Sequence, residues 1–408
     1  MDTDTTALSP ETLRAEMVAK VRNAGYAQLS EVERVLRDTP RHEFVPDADL
    51  TVAYDPWQAV ITHRFDDGRS LSCASAPWLV AAMLDQLDVQ PGNRILEIGA
   101  GTGYNACLLA QLTCRADLVT TIDIDPDVTA KAAQALAATG FGDVHVITGD
   151  GGLGFADHAP YDRMIATVSP WDIPAVWWQQ LAPGGRLVAP LRWRGQGRSV
   201  AFTYTDGRLV SDSLHLCGFV YLVGEGEGEL AGPVTADGLV TLHWDRDQAV
   251  DLVALRGVLD QPRVTAWSET TIASNESHDG LWLRLTVTDP RVCRIKVQAD
   301  VPREVCDPIG GWWRMALVDG GTLVYLTARR LETGDEVRWE LGAIGHGPAA
   351  VELTEYLCDE IRTWAPERDQ HAASLVVYPA DTPDGELAGP AIDKIHSRFV
   401  LTYDDLAR

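Results

Sequence analysis

The stretch from Arg94 to Ala106, Arg-Ile-Leu-Glu-Ile-Gly-Ala-Gly-Thr-Gly-Tyr-Asn-Ala, constrains the fold more than any other part of the 408-residue chain. Residues 94–98 read as a buried strand, the alternating Gly99, Gly101 and Gly103 as a tight turn, and residues 104–113 as a helix. Alternating glycines let a ligand lie against the main chain without meeting a Cβ. A dinucleotide fits this turn poorly. Tyr104 stands where the dinucleotide fingerprint wants Gly or Ala. Glu97 also presents a carboxylate where a pyrophosphate would seek N–H donors. A ligand carrying positive charge suits that carboxylate better.

The strand–helix rhythm continues downstream. A strand over 118–122 ends in Asp123 and Ile124, about twenty residues past the glycines, where an acid can accept both hydroxyls of a ribose. A third strand over 144–148 runs into Gly149-Asp150-Gly151. Asp150 is placed to meet an adenine amino group, although Asp-Gly is also a common turn dipeptide. Strands at 162–168 and 186–191, with a helix near 173–181 between them, extend the series. Two more strands near 199–205 and 214–222 would close a mostly parallel sheet with an antiparallel edge.

Upstream, residues 9–28 read as an amphipathic helix, and Ser30-Glu-Val-Glu33 has capping-box spacing for a second. Residues 53–72 look like loop. Ser75-Ala76-Pro77 then starts a helix whose apolar face carries Leu79, Val80, Met83 and Leu84. A serine there is most often a helix cap, but this one falls shortly before the glycine turn. Past the Gly/Glu alternation at 224–229 the texture changes. Residues 234–344 show β-rich runs at 253–255, 282–287 and 322–327, and a helix follows at 349–364 with Leu353, Leu357, Ile361 and Trp364 on one face. The tail from Pro366 reads as loop-rich. A division into 1–229 and 230–408 is expected.

A formal charge of −25 speaks against nucleic acid as a partner, which would need clustered Lys and Arg, and against anionic membranes. No apolar run is long enough to span a bilayer, and residues 1–6 lack the basic start of a secretory signal. Seven cysteines without a Cys-x-x-Cys pair point to a reducing, cytoplasmic setting and away from a metal site. No residue sets an oligomeric state, and a monomer is the default expectation.

Glu97 to Gly103 has the Glu-x-Gly-x-Gly-x-Gly form of the S-adenosylmethionine loop of class I methyltransferases and resembles one. With it come Pro40-Arg-His-Glu-Phe-Val-Pro46, Ser75-Ala-Pro77, Gly149-Asp-Gly151, Ala159-Pro-Tyr-Asp162 and Leu181-Ala-Pro-Gly-Gly-Arg-Leu-Val-Ala-Pro190. In that order these motifs resemble protein-L-isoaspartate O-methyltransferases over about residues 38–222. The resemblance implies a Rossmann-like class I methyltransferase α/β sheet, here with an N-terminal helical segment and a C-terminal α+β domain. It implies S-adenosyl-L-methionine as cofactor, with S-adenosyl-L-homocysteine as product. It carries the active-site serine to Ser75, and the cofactor contacts to Glu97, Gly99, Gly101, Thr102, Gly103, Asp123, Ile124, Asp150 and Gly151. The loop over 65–72 differs in detail from the family pattern, which bears on the substrate rather than the cofactor.

The 180 residues beyond the match, with Gly321-Thr-Leu-Val-Tyr-Leu-Thr327 and Ile344-Gly-His-Gly-Pro348 before a helix, also resemble the tails of homologues that act on ribosomally made peptides such as lanthipeptides, lasso peptides and graspetides. That second likeness implies methylation of an ordinary aspartate in a modified peptide, followed by closure to aspartimide or hydrolysis to isoaspartate. Repair of isoaspartate in aged proteins is the alternative, and a non-catalytic cofactor- and peptide-binding module a third. Trp312, Trp313, Tyr325 and Trp339, interspersed with Arg314, Arg329, Arg330 and Arg338, are the expected anchors for a peptide.

Overall fold

The computed structural model describes residues 8–64, 70–224, 228–310, 314–333, 336–368 and 373–403. Three helices come first: α1 (Pro10–Asn23), α2 (Ser30–Asp38) and α3 (Leu50–Ala53). Ser9 caps α1 by accepting from the Thr12 N–H. The start of α2 departs from its capping-box sequence. Ser30 is the first helical residue and no side chain caps it. The carboxylate of Asp85 instead accepts the N–H groups of Gln28 and Leu29 at 2.8 and 3.1 Å, a long-range partner that local spacing cannot reveal. The expected loop over 53–72 contains an antiparallel hairpin, β1 (Val60–Arg64) with β2 (Ser70–Ala74). Helix α4 (Pro77–Leu87) follows, with almost every residue buried.

The βα units then appear in order: β3 (Ile95–Ile98), α5 (Tyr104–Thr113), β4 (Val119–Asp123), α6 (Pro126–Ala138), β5 (His145–Thr148), β6 (Tyr161–Ala166), α7 (Ala175–Gln180) and β7 (Leu181–Trp193). The parallel strands lie side by side as β5-β4-β3-β6-β7. The chain therefore builds outward from β3 on one side, then crosses back to place β6 on the other. Such a reversal of strand order opens a crevice at the carboxyl ends of the two strands, the usual ligand site of open α/β sheets. β8 (Gln196–Thr205) and β9 (Arg208–Leu216) add an antiparallel edge, the second of them several residues earlier than its sequence suggests.

The second half builds a seven-stranded sheet of its own. It contains β10 (Glu229–Pro233), β11 (Val240–Asp245), β12 (Val264–Ala273), helix α8 (Asp279–Thr288), β13 (Val292–Val297), β14 (Met315–Asp319), β15 (Thr322–Thr333) and β16 (Glu336–His346). Every pairing in it is antiparallel. Helix α9 (Ala350–Trp364) packs its Leu353, Leu357, Ile361 and Trp364 inward, as its spacing predicts.

Three expectations for this half are corrected. Residues 282–287 belong to α8, not to a strand. Leu281 through Thr286 are all buried, so the segment has no polar face and its periodicity is lost. Residues 253–255 lie in a turn. The tail is not loop: β17 (Ala373–Pro379), β18 (Ile392–Asp393) and β19 (Ser397–Tyr403) return to the first sheet. There β17 pairs with β9, extending that sheet to ten strands.

Strands from both sides of residue 229 thus share the first sheet, and the two halves share a core. One core runs through Ile98, Met164, Leu191 and Trp193 of the first sheet, Leu281 and Leu285 of α8, Leu326 and Leu341 of the second sheet, and Val377 and Phe399 of the returning strands. Among the described residues no helix is long and apolar enough to cross a membrane.

Candidate active site

At the crevice between the ends of β3 and β6 lies a cleft of about 620 Å3 of open space. Its floor is the glycine turn, one wall is Thr167 and Val168 after β6, and the opposite side is the hairpin end from Ser72 to Ser75. Of the residues singled out from the sequence, Ser75, Glu97, Gly99, Gly101, Thr102 and Asp123 line this cleft. Gly103, Ile124, Asp150 and Gly151 lie outside its lining.

The turn is built as its glycines predict. Gly99 has φ +100°, and a Cβ there would fall 2.5 Å from the Thr167 hydroxyl oxygen. Gly101 has φ +52°, and an added Cβ would face the Cys73 carbonyl at 3.3 Å across the cleft. Both positions thus need glycine for backbone shape and for close approach. Gly103, at φ +83°, also has a backbone that favours glycine, and a Cβ there would press on α6 at the Ala132 carbonyl; a Cβ on Gly151 would meet the Ile98 side chain. Asp150 uses one carboxylate oxygen to cap its own turn, accepting from the Gly152 N–H at 2.8 Å. Ile124 is an exposed apolar side chain just past β4.

Two carboxylates set the charge of the cleft. Glu97 is fully buried and accepts from Asn105 Nδ2 at 2.8 Å and Thr121 Oγ1 at 2.6 Å. Burial pushes its carboxyl up to about 7 despite these two donors. Asp123 accepts from the Gly101 and Asp125 N–H groups, both at 3.2 Å. Burial raises it as well. Each of its oxygens keeps lone-pair capacity beyond those bonds, enough to receive a pair of hydroxyls. No His, Lys or Arg is among the described residues lining the cleft. Among the described residues no group of His, Cys, Asp and Glu is arranged to hold a metal ion.

Ser75 is not a helix cap. The residue preceding α4 is Ala76, and no side-chain hydrogen bond caps that helix. Ser75 lies half-buried in the cleft wall next to Cys73, whose thiol burial pushes up. Arg41, which sequence reasoning did not single out, holds this corner from behind. Its Nη2 donates to the carbonyls of Ala74 and Ser75, and its Nε to that of Ala53. The only sign of it in the sequence is an arginine inside a Pro-flanked motif. The loop over 65–72 falls partly at 65–69, outside the described residues.

A parallel switch-point cleft with a glycine turn and two strand-end acids fits a class I methyltransferase. Comparison with protein-family profiles matches residues 12–227 to "Protein-L-isoaspartate(D-aspartate) O-methyltransferase (PCMT)". The chain belongs to this family. Members are S-adenosylmethionine-dependent methyltransferases, and so is this chain. Its sequence is 37% identical over 221 residues to the protein-L-isoaspartate O-methyltransferase of Hyperthermus butylicus, covering 52% of this chain and 89% of that relative.

Among solved structures, a protein-L-isoaspartate O-methyltransferase aligns with TM-score 0.48 and 19% identity, covering 95% of this chain and 98% of that one. A putative family member from Plasmodium falciparum, in complex with S-adenosyl-L-homocysteine, aligns with TM-score 0.46 and 17% identity. It covers 52% of this chain and 99% of its own. The family assignment rests on the sequence match.

The second half brings together fewer of its expected residues. Tyr325 is fully buried, so it is core rather than a peptide anchor. Arg314 turns inward to the carbonyls of Gly310 and Val297, Arg329 pairs with Glu340, and Arg338 holds Thr271. Trp312 and Trp313 lie outside the described residues.

Proposed function

We propose that this chain methylates the side-chain carboxylate of an aspartate in a ribosomally made, modified peptide, leading to aspartimide or isoaspartate. The observation that carries the reading is the returning tail. The family match stops at residue 227, yet residues 392–397 reach back to the segment that follows β6 beside the cleft. The Ser397 hydroxyl and the His396 N–H both donate to Asp172, and Lys394 Nζ donates to the Trp171 carbonyl. A second half braced onto the segment that leads out of the Thr167–Val168 wall suits one dedicated, bulky substrate better than scattered isoaspartyl sites.

The cofactor brings a methyl group made electrophilic by its sulfonium, and the two buried acids suit its charge and its ribose. Ser75 is assigned to the substrate side, with Glu97, Gly99, Gly101, Thr102 and Asp123 toward the cofactor. Ile124, Asp150 and Gly151 are assigned to the adenine end and Gly103 to the turn. An aspartate is ionised at neutral pH, so its oxygen needs no general base. The oxygen forms a bond to the methyl carbon while the carbon–sulfur bond breaks and its electron pair stays on sulfur. What the protein must supply is orientation and exclusion of water, which in favourable cases is worth roughly 10⁵–10⁸ M of effective concentration. In the ester, the next residue's nitrogen attacks the carbonyl and methanol leaves, closing the five-membered imide.

Isoaspartate repair is supported by the names of the relatives matched over residues 12–227. Two substrates separate the readings: the precursor peptide encoded beside the gene, in modified form, and a synthetic isoaspartyl peptide. The proposal expects a mass gain of 14 on the first, then a net loss of 18. Turnover of the isoaspartyl peptide alone would replace it with repair.

A further inference from the structure

Arg41 is 0% exposed, although arginine is among the residues least often buried. Burying a guanidinium is costly unless a carboxylate or a full set of acceptors compensates it. Its main charged or polar neighbours are Tyr104, the Cys73 thiol and the Tyr54 hydroxyl, and among the described residues no carboxylate forms an ion pair with it. Its guanidinium carbon lies 4.8 Å from the centre of the Tyr104 ring. Its Nε and Nη2 bind three carbonyls, at 2.9 Å to Ala53, 3.2 Å to Ala74 and 2.8 Å to Ser75. Nη1 and the Tyr104 hydroxyl are both buried and interact with each other, and neither meets a well-aligned hydrogen-bond partner among the described residues. Cys73, Ala74, Ser75 and Tyr104, residues that Arg41 touches or faces, all line the cleft.

A cation held against the cleft wall without a counter-charge has a use that packing alone does not supply. The substrate of a carboxyl methyltransferase is an anion, and it must enter a cleft that already holds Glu97 and Asp123 inside a chain of formal charge −25. At short range in a poorly solvated site, like charges repel strongly. We propose that Arg41 is a positioning residue for the substrate carboxylate. It fixes the backbone of Ala74 and Ser75 through their carbonyls, and its unneutralised charge lowers the cost of bringing a carboxylate to Ser75. It acts from behind the wall, without touching the substrate. This inference rests on the methyl-transfer reading above.

The test uses the full chain with Arg41→Met and Arg41→Lys. The substrates are the modified precursor peptide, a synthetic isoaspartyl peptide, and the amide analogue of each, in which the target carboxylate is neutral. Binding is measured in the presence of S-adenosyl-L-homocysteine, and turnover with S-adenosyl-L-methionine. We expect wild type to prefer the carboxylate over the amide, and Arg41→Met to lose that preference by about tenfold or more, with KM rising further than kcat falls. Arg41→Lys should recover part of the preference, because charge returns without the planar fork. Cofactor affinity should stay within about threefold in both variants, since neither change removes a residue of the glycine turn or either of the two acids.

An intact carboxylate preference in Arg41→Met would overturn the proposal. So would a fall in turnover and cofactor affinity together, with Arg41→Lys no better than Arg41→Met, which would mark a purely structural staple. Should Arg41→Met fail to fold, Arg41→Lys against wild type on the carboxylate–amide pair decides: an unchanged preference with weakened cofactor binding again overturns it. A wild type that methylates neither peptide would sink the reading of the site itself, and this assignment with it.

Discussion

The two sheets of this protein carry their information differently. In the parallel part of the first sheet, strand after strand delivers a cleft residue at its carboxyl end. Glu97 and the glycines after it stand at the end of β3, Asp123 on β4 and Thr167 just past β6. The second sheet is antiparallel throughout, and its prominent polar and aromatic residues mostly serve the sheet itself, as Tyr325 and Arg329 do. A parallel sheet brings all its strand ends to one edge, so spacing along the chain maps onto one place in space. An antiparallel sheet sends alternate ends to opposite edges, and spacing maps onto no single site. The first sheet is therefore the chemistry. The second half contributes core, and through 392–397 a brace.

The sharpest way to break this comparison is to remove the strands that join the halves. Deletion of residues 373–408 removes Leu375, Val377, Phe399 and Leu401 from the shared core. The chain should lose cooperative unfolding and cofactor binding together, as seen by thermal denaturation and calorimetry. The point version, Phe399→Ala, should cost about 3–5 kcal/mol in denaturant unfolding. A truncated chain that melts cooperatively and binds S-adenosylmethionine as before would show that the halves are separable after all.

A smaller effect separates the two sides of the cleft. Ser75→Ala should lower kcat/KM roughly hundredfold, the scale for losing one aligned polar group at a reacting centre, with cofactor affinity unchanged. Normal turnover in this variant would return Ser75 to a merely structural place in the wall.

The smallest effect concerns pH. Glu97 is raised by burial to about 7 from an ordinary value of 4.5, so the folded, ligand-free protein holds this proton more tightly than the unfolded chain does. Its contribution to stability is therefore greatest below 4.5 and is lost as pH climbs toward 7. A cationic ligand favours the ionised carboxylate, so cofactor affinity should rise with pH up to about 7 and then level, and binding below that should release protons. Calorimetry in two buffers of different ionisation heat reads the released proton. A flat profile in wild type, identical to that of Glu97→Gln, would remove Glu97 from any charge role.

The difference between the sheets also explains what is legible in the sequence. The glycine turn and the parallel strands can be read because backbone geometry demands those residue types locally, and Gly99 and Gly101 stand where their φ angles require. Ser75 is ambiguous in sequence because a cap and a site residue look alike, and only the position of Ala76 at the helix start rules out the cap. Asp85 as the partner of Gln28 and Leu29, and Arg41 as the partner of Ala74 and Ser75, depend on contacts between distant segments that no local pattern encodes. Helix α8 reads as a strand because burial on all sides erases periodicity. The returning strands read as loop because the pairing edge that orders them, β9, lies more than 150 residues earlier in the chain.

The central claim is that the cleft at the ends of β3 and β6 passes a methyl group from S-adenosylmethionine to a carboxylate oxygen. It is tested most directly by incubating the full chain with methyl-labelled cofactor and either peptide, then treating the product with mild base. The account predicts label on the peptide that base releases as methanol, because an ester hydrolyses. Base-stable label, as on nitrogen, or no transfer to either peptide, would contradict it.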